Sequence, residues 1–135
     1  MIYLLDLNYT LVGNSEIKLK PFTMQIENET YRQDLIEKIK NDHVILVTAR
    51  PEMHQASTID SLVKKTGWVP NDFYFNKGLP PPAWKNVCLK KYIFPKYGKD
   101  SEYLAIESNP RTRAMYDTHG IKAIPYEEFI NDTED

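Results

Sequence analysis

Residues 2–5 are four apolar side chains in a row, closed at once by Asp6. A short continuous run with polar bounds predicts a strand buried on both faces. Residues 8–26 carry Gly13, Asn14 and Pro21 without a helical period, and so predict a loop or small hairpin flap. From 28 to 41 the apolar positions Tyr31, Leu35, Ile36 and Ile39 recur at helical spacing. Residues 43–48, mostly β-branched or apolar, predict a second buried strand. Pro51 and Glu52 open a helix that runs to about Thr66 and stops at Gly67.

Phe73-Tyr74-Phe75 supplies a third strand, and Pro80, Pro81 and Pro82 predict a rigid loop, since proline donates no backbone hydrogen bond. A helix over 86–97, a strand over 103–106, a helix from Pro110 to Gly120 and a fifth strand over 121–124 complete the series, with a short tail after it. Strands alternating with helices predict an α/β fold with a parallel sheet. The expected architecture is a Rossmann-like three-layer sandwich around five parallel strands, as one domain over residues 1–135.

Composition narrows this little. The chain has 135 residues, 41% of them hydrophobic and 27% charged, which suits one soluble domain with one core. A formal net charge of −2 gives no global pull towards nucleic acid or membrane. The single cysteine, Cys88, excludes an intramolecular disulfide and fits a reducing compartment. No apolar run approaches the ~20 residues of a membrane span, and no basic segment precedes Ile2. A cytoplasmic protein without a membrane partner is the expectation.

The chemistry gathers where strands end. Asp6, Thr48 and Glu107 each follow a predicted strand, and ligands of open parallel sheets bind beyond those carboxyl ends. A carboxylate at Asp6 is able to attack phosphorus and form an aspartyl-phosphate, although alone it equally caps a turn. The Thr48 hydroxyl and the N–H groups around Ala49 suit phosphate oxygens, or a helix N-cap. Glu107, Ser108 and Asn109 offer oxygen donors at the start of the last helix, suited to Mg²⁺ or simply to the helix dipole. Each feature is weak alone; their order is the signal.

That order resembles the haloacid dehalogenase (HAD) superfamily over nearly the whole chain. Ile2-Tyr3-Leu4-Leu5-Asp6-Leu7-Asn8-Tyr9-Thr10 is similar to its first motif, an apolar strand followed by Asp-x-Asp-x-Thr. Val44-Ile45-Leu46-Val47-Thr48 is similar to the second, and Leu104-Ala105-Ile106-Glu107-Ser108 to the fourth, normally an acidic pair. Lys90-Lys91-Tyr92-Ile93-Phe94 resembles a segment of the phosphatase domain of polynucleotide kinase/phosphatases and supplies Lys90 as the third-motif lysine.

The resemblance implies Asp6 as nucleophile and Mg²⁺ ligand, with the metal also held by the Asn8 carbonyl, Glu107 and Ser108. It implies Thr48 and Ala49 as phosphoryl binders and Lys90 as the charge-balancing cation. It implies a nucleotide or polynucleotide 3′-phosphate as substrate. The sequence departs from the family at two positions. Asn8 stands where the second aspartate acts as general acid–base, and an amide transfers no proton. General acid–base catalysis is typically worth about 10²–10⁴-fold. Ser108 stands where a second acid binds magnesium, which weakens the metal site.

About fifteen residues separate the first motif from the first predicted helix, too few for a cap domain. An open site suits a bulky phosphorylated ligand such as a nucleic-acid end, or is covered by a second copy or a protein partner. Tyr9, Phe22, Trp68 and Trp84 are able to stack on bases where exposed, though aromatics in so small a chain usually fill the core. Two functions follow: an attenuated Mg²⁺-dependent phosphomonoesterase, or a silent domain that binds a nucleotide-like ligand or a partner. A structural domain with accidental motif matches is the third reading, and the matches in order weigh against it.

Overall fold

In the computed structural model, which describes residues 1–132, the opening apolar run forms β1 (Ile2–Leu5). After it the chain makes a wide turn over Leu7–Leu11. Leu11 N–H donates to the Asp6 carbonyl and Val12 N–H to the Leu7 carbonyl, both i→i+5 bonds. Tyr9 sits in the left-handed region at φ 61, which sharpens the kink.

The segment expected to be loop then contains α1 (Phe22–Asn28), which buries only Gln25 and Ile26. So narrow a buried face leaves no apolar period to read. The next helix, α2 (Gln33–Ile39), is shorter than expected, because Tyr31 is drawn into an isolated antiparallel bridge with Val12.

β2 spans His43–Pro51, beyond the expected end. A short helical turn at Glu52–His54 leads into α3 (Gln55–Thr66), which ends on Gly67 at φ 71. β3 is Asp72–Asn76. α4 (Pro81–Cys88) starts inside the proline run, with prolines in the first turn, where a missing N–H costs nothing. It continues through a wide turn at Leu89–Ile93 into α5 (Phe94–Tyr97). β4 (Tyr103–Ile106), α6 (Pro110–Thr118) and β5 (Lys122–Ile124) follow as expected. The expected tail instead contains α7 (Tyr126–Asn131), anchored by buried Phe129.

All five strands run parallel in the order β3-β2-β1-β4-β5. Alternation along them sends side chains to two cores. Leu5, Val44, Leu46 and Ile106 meet Leu35, Ile39, Leu62 and Phe129 from α2, α3 and α7. Leu4, Ile45, Val47 and Ala105 meet Trp84, Cys88 and Tyr116 from α4 and α6. The result is a three-layer, Rossmann-like α/β sandwich without a separate cap. No helix among the described residues is long and apolar enough to cross a membrane. The strand order reverses between β1 and β4, which puts the ligand crevice of such folds just past Leu5 and Ile106.

Candidate functional site

Asp6 leaves β1 at that reversal and is 6% exposed. Its Oδ1 accepts from Lys85 Nζ at 2.9 Å. Its Oδ2 accepts from Thr10 Oγ1 at 3.0 Å, Ser108 Oγ at 2.7 Å and Ser108 N–H at 3.2 Å. The wide turn is what returns Thr10 to the carboxylate four residues back.

Lys85, buried in α4, also donates to Glu107 Oε1 at 2.6 Å. The other Glu107 oxygen accepts from Asn109 N–H at 3.0 Å. Two carboxylates against one ammonium leave one negative charge in a buried place. Burial alone would raise the Asp6 carboxyl, but Lys85 and Ser108 hold it below its ordinary value. Burial, opposed by Lys85 and aided by the Asp6 charge, pushes Glu107 up to about 7. Burial works to lower the Lys85 ammonium, yet its two acidic partners hold it above the usual lysine value. The cluster therefore favours the ionised form of Asp6 and makes Glu107 the more easily protonated of the two carboxylates.

A second buried network lies across the turn. Arg50 donates to Glu29 through both terminal nitrogens, Nη1 at 3.0 Å and Nη2 at 2.5 Å. Nη1 also reaches Thr58 Oγ1 at 3.0 Å, and Nη2 reaches Asn8 Oδ1 at 2.8 Å. Asn8 thus has its side-chain oxygen turned to Arg50, and the residue also lines the cleft beside Asp6. That cleft, of about 250 Å³, is lined by Asp6, Asn8, Tyr9, Ala49, Lys85 and Ser108 among others.

The structure gathers Asp6, Asn8, Ala49, Glu107 and Ser108 from the residues singled out in the sequence. Thr48 is buried, but its hydroxyl accepts the Arg50 N–H at 3.0 Å, so it shapes the irregular end of β2, where the register with β3 shifts between Val47 and Pro51. Lys90 does not join them. It is exposed in the wide turn that follows α4, and Lys85, one and a half helical turns earlier, is the lysine that reaches Asp6 and Glu107. The correction has a local cause: with Pro80–Pro82 read as loop, the helix seemed to start only after Lys85. Prolines opening a helix and the Trp84/Cys88 pair four apart were the usable signals. Arg50 and Glu29 were also missed, and no local pattern joins residues 21 positions apart.

Ser108 Oγ lies 2.7 Å from Asp6 Oδ2 and 3.4 Å from the Asn8 carbonyl. Three oxygens of the implied metal set therefore converge, with one carboxylate among them. Glu107 does not share in that convergence, because Lys85 and Asn109 occupy both its oxygens. Among the described residues there is no group of three or more His, Cys, Asp or Glu side chains that would hold a metal ion. Comparison with protein-family models and with curated proteins finds no match to this chain. The fold itself is compatible with phosphohydrolases of the Rossmann-like class.

Proposed function

We propose that this chain is a HAD-like phosphohydrolase domain of reduced turnover, with Asp6 as nucleophile. The supporting observation is the Asp6–Lys85–Glu107 cluster at the floor of a cleft beyond the strand reversal. Buried ion pairs are weak sources of stability, since desolvation offsets the Coulomb gain. Three charged groups sunk together at a cleft floor are better explained by chemistry.

Asp6 Oδ1 has one partner and keeps a lone pair for phosphorus, whereas Oδ2 is tied by three donors. Attack would form the Oδ1–P bond and break the bond to the ester oxygen, which leaves with its electron pair. Lys85 stays beside Oδ1 and balances charge as the carboxylate is consumed. The Asn8 NH₂ is able to donate to a phosphoryl or leaving oxygen, but it supplies no proton. An alkoxide, as from a nucleotide or a polynucleotide 3′-phosphate, would therefore leave slowly. Hydrolysis of the aspartyl-phosphate is slowed for the same reason, because nothing at residue 8 removes a proton from water.

The donor set fits a weak Mg²⁺ site: the Asp6 carboxylate, the Asn8 carbonyl and the Ser108 hydroxyl would hold it, with waters and phosphate completing the shell. When bound, the ion supplies positive charge against the phosphoryl oxygens.

The test is intact-mass spectrometry after incubation with Mg²⁺ and p-nitrophenyl phosphate, followed by a panel of nucleotides and 3′-phosphorylated oligonucleotides. A phosphoryl adduct absent from Asp6→Asn, with slow release of phosphate, is the expected result. No adduct and no release above Asp6→Asn would overturn the reading. The second reading, a silent binding domain, draws on the engagement of both Asp6 oxygens by protein donors. It predicts that orthovanadate binds while no adduct forms.

A further inference from the structure

The two edges of the sheet differ. β5 is three residues long and carries the exposed Lys122, features that blunt an edge against pairing with another strand. β3, on the opposite edge, has five residues, Asp72-Phe73-Tyr74-Phe75-Asn76, with neither lysine nor proline. Among the described residues no backbone-to-backbone hydrogen bond joins β3 to anything but β2. The outward N–H and C=O groups of such an edge are a template for a further strand. The one charge on β3 does not guard it. Asp72 Oδ2 already accepts from Lys96 Nζ at 3.0 Å and from the Tyr74 and Tyr97 hydroxyls at 3.0 and 2.8 Å. Between β3 and α3 lies a groove of about 340 Å³, lined by Ala56, Ile59, Val63 and Phe73 among others. Val63 is 44% exposed there.

We propose that β3 pairs antiparallel with β3 of a second copy of this chain, joining the two sheets across a two-fold axis at Tyr74. The residue order of the strand selects a second copy as the occupant. It reads alike in both directions: a polar residue, three aromatics, a polar residue. Paired about its centre, Asp72 meets Asn76, Phe73 meets Phe75 and Tyr74 meets Tyr74. No like charges oppose one another, and aromatic pairs are among the favourable cross-strand contacts.

The faces agree as well. Phe73 and Phe75 belong to the core on the α3 side, and Tyr74 packs on the α4 side. Pairing about Tyr74 keeps each side chain on the same face as its opposite number. A slip of one residue would set opposite faces together, and a slip of two would leave residues at the strand ends unpaired. A two-fold axis perpendicular to the sheet also brings both grooves to one face of the joined sheet, so the contact is isologous and closes at two copies.

The tests read mass and are independent of phosphoryl transfer. Sedimentation velocity of the full chain is expected to show a species of twice the monomer mass whose fraction grows with concentration. Cross-linking tests the register. At the axis the two residue-74 Cα atoms are about 4.5–5.5 Å apart, within the ~4.4–6.8 Å that a disulfide spans. The two copies of Lys77, by contrast, lie six residues apart along the paired strands, about 20 Å. Cys88 is buried, so an introduced thiol is the accessible one.

Under diamide oxidation Tyr74→Cys is expected to form a covalent dimer and the exposed Lys77→Cys to stay monomeric. Val63→Arg, an exposed change, sets like charges on both copies beside the joined strands and is expected to weaken the dimer about tenfold. A parent chain that stays monomeric up to its solubility limit overturns the proposal and leaves the edge to a strand of another protein. Failure of folded Tyr74→Cys to cross-link, or equal cross-linking through Lys77→Cys or through Lys122→Cys on the β5 edge, overturns it too. Should Tyr74→Cys fail to fold, an undiminished dimer in Val63→Arg overturns it instead.

Discussion

Arg50 Nη2 donates to Asn8 Oδ1 at 2.8 Å, while Glu29 accepts from both terminal nitrogens of the same guanidinium. This pair decides what residue 8 contributes. Because Arg50 takes the amide oxygen, that oxygen is not free to accept from a ligand in the cleft. It also decides what an acid at that position would do. A carboxylate introduced by Asn8→Asp would meet a guanidinium already in place and stay ionised. It would then accept a proton from water but hold none to give a leaving group. Asn8→Asp should therefore speed turnover of p-nitrophenyl phosphate, whose leaving group needs no proton, by up to about 10²-fold, the lower end of acid–base effects. Alkyl phosphates should gain little. Comparing kcat for the two ester classes checks this, and an equal gain on both would contradict it.

Lys85 and Lys90 offer a direct contrast. Lys85→Met leaves Asp6 and Glu107 buried without their shared cation. Stripping one partner from a buried charge pair costs about 3–5 kcal/mol. Lys90→Met removes an exposed charge and should stay within about 0.5 kcal/mol of the parent. Urea denaturation of the two variants separates them, and similar midpoints would mean that the buried cluster is not formed.

The contrast also shows where the chain was legible. Buried parallel strands read as continuous apolar runs, and so β1 and β4 have the very bounds their hydrophobicity predicts. Gly67 and Gly120 marked helix ends because both take positive φ. Three elements lacked such marks. α1 buries too little to show a period, α7 is six residues long, and α4 hides its first turn in prolines. The last of these moved the lysine. Asp6, Glu107 and Ser108 were visible because each follows a readable strand closely. Glu29, which orients Arg50 and through it Asn8, follows no such strand and emerges only from tertiary packing.

Stability should depend on pH through Glu107. Its folded value of about 7 exceeds the ordinary 4.5, so between those limits the native state binds more protons than the unfolded chain. Stability then falls as pH rises from about 5 to about 8. Asp6 is lowered, and its contribution is lost only in more acidic solution; Lys85 is raised, and its contribution is lost only in strongly alkaline solution. At 1.36 kcal/mol per unit the Glu107 effect is at most about 3 kcal/mol. His119, lowered chiefly by burial and also by Lys90 and Lys99, contributes the opposite slope as pH falls below the ordinary 6.5. In a His119→Gln background, thermal denaturation at pH 5 and pH 8 should therefore show the higher midpoint at pH 5. Glu107→Gln, which keeps the Lys85–Asp6 pair, should flatten the difference, and a persisting slope would assign it elsewhere.

Ser108 provides the sharpest test of the convergence at Asp6. Its hydroxyl donates to Asp6 Oδ2 and approaches the Asn8 carbonyl, so Ser108→Asp replaces a donor with a second negative charge facing the first. Without a divalent cation the change should be destabilising, because two acids then crowd one carbonyl oxygen. With Mg²⁺ the same three oxygens become a two-carboxylate set of the kind that ion favours. Binding to the native state alone stabilises by RT ln(1 + [L]/Kd), about 2.7 kcal/mol when Mg²⁺ stands at 100 Kd. Melting with and without Mg²⁺ should therefore move Ser108→Asp strongly and the parent chain little. A Ser108→Asp protein indifferent to Mg²⁺ would mean that these oxygens do not share a cation-sized space, and the weak-site account of the parent would go with it.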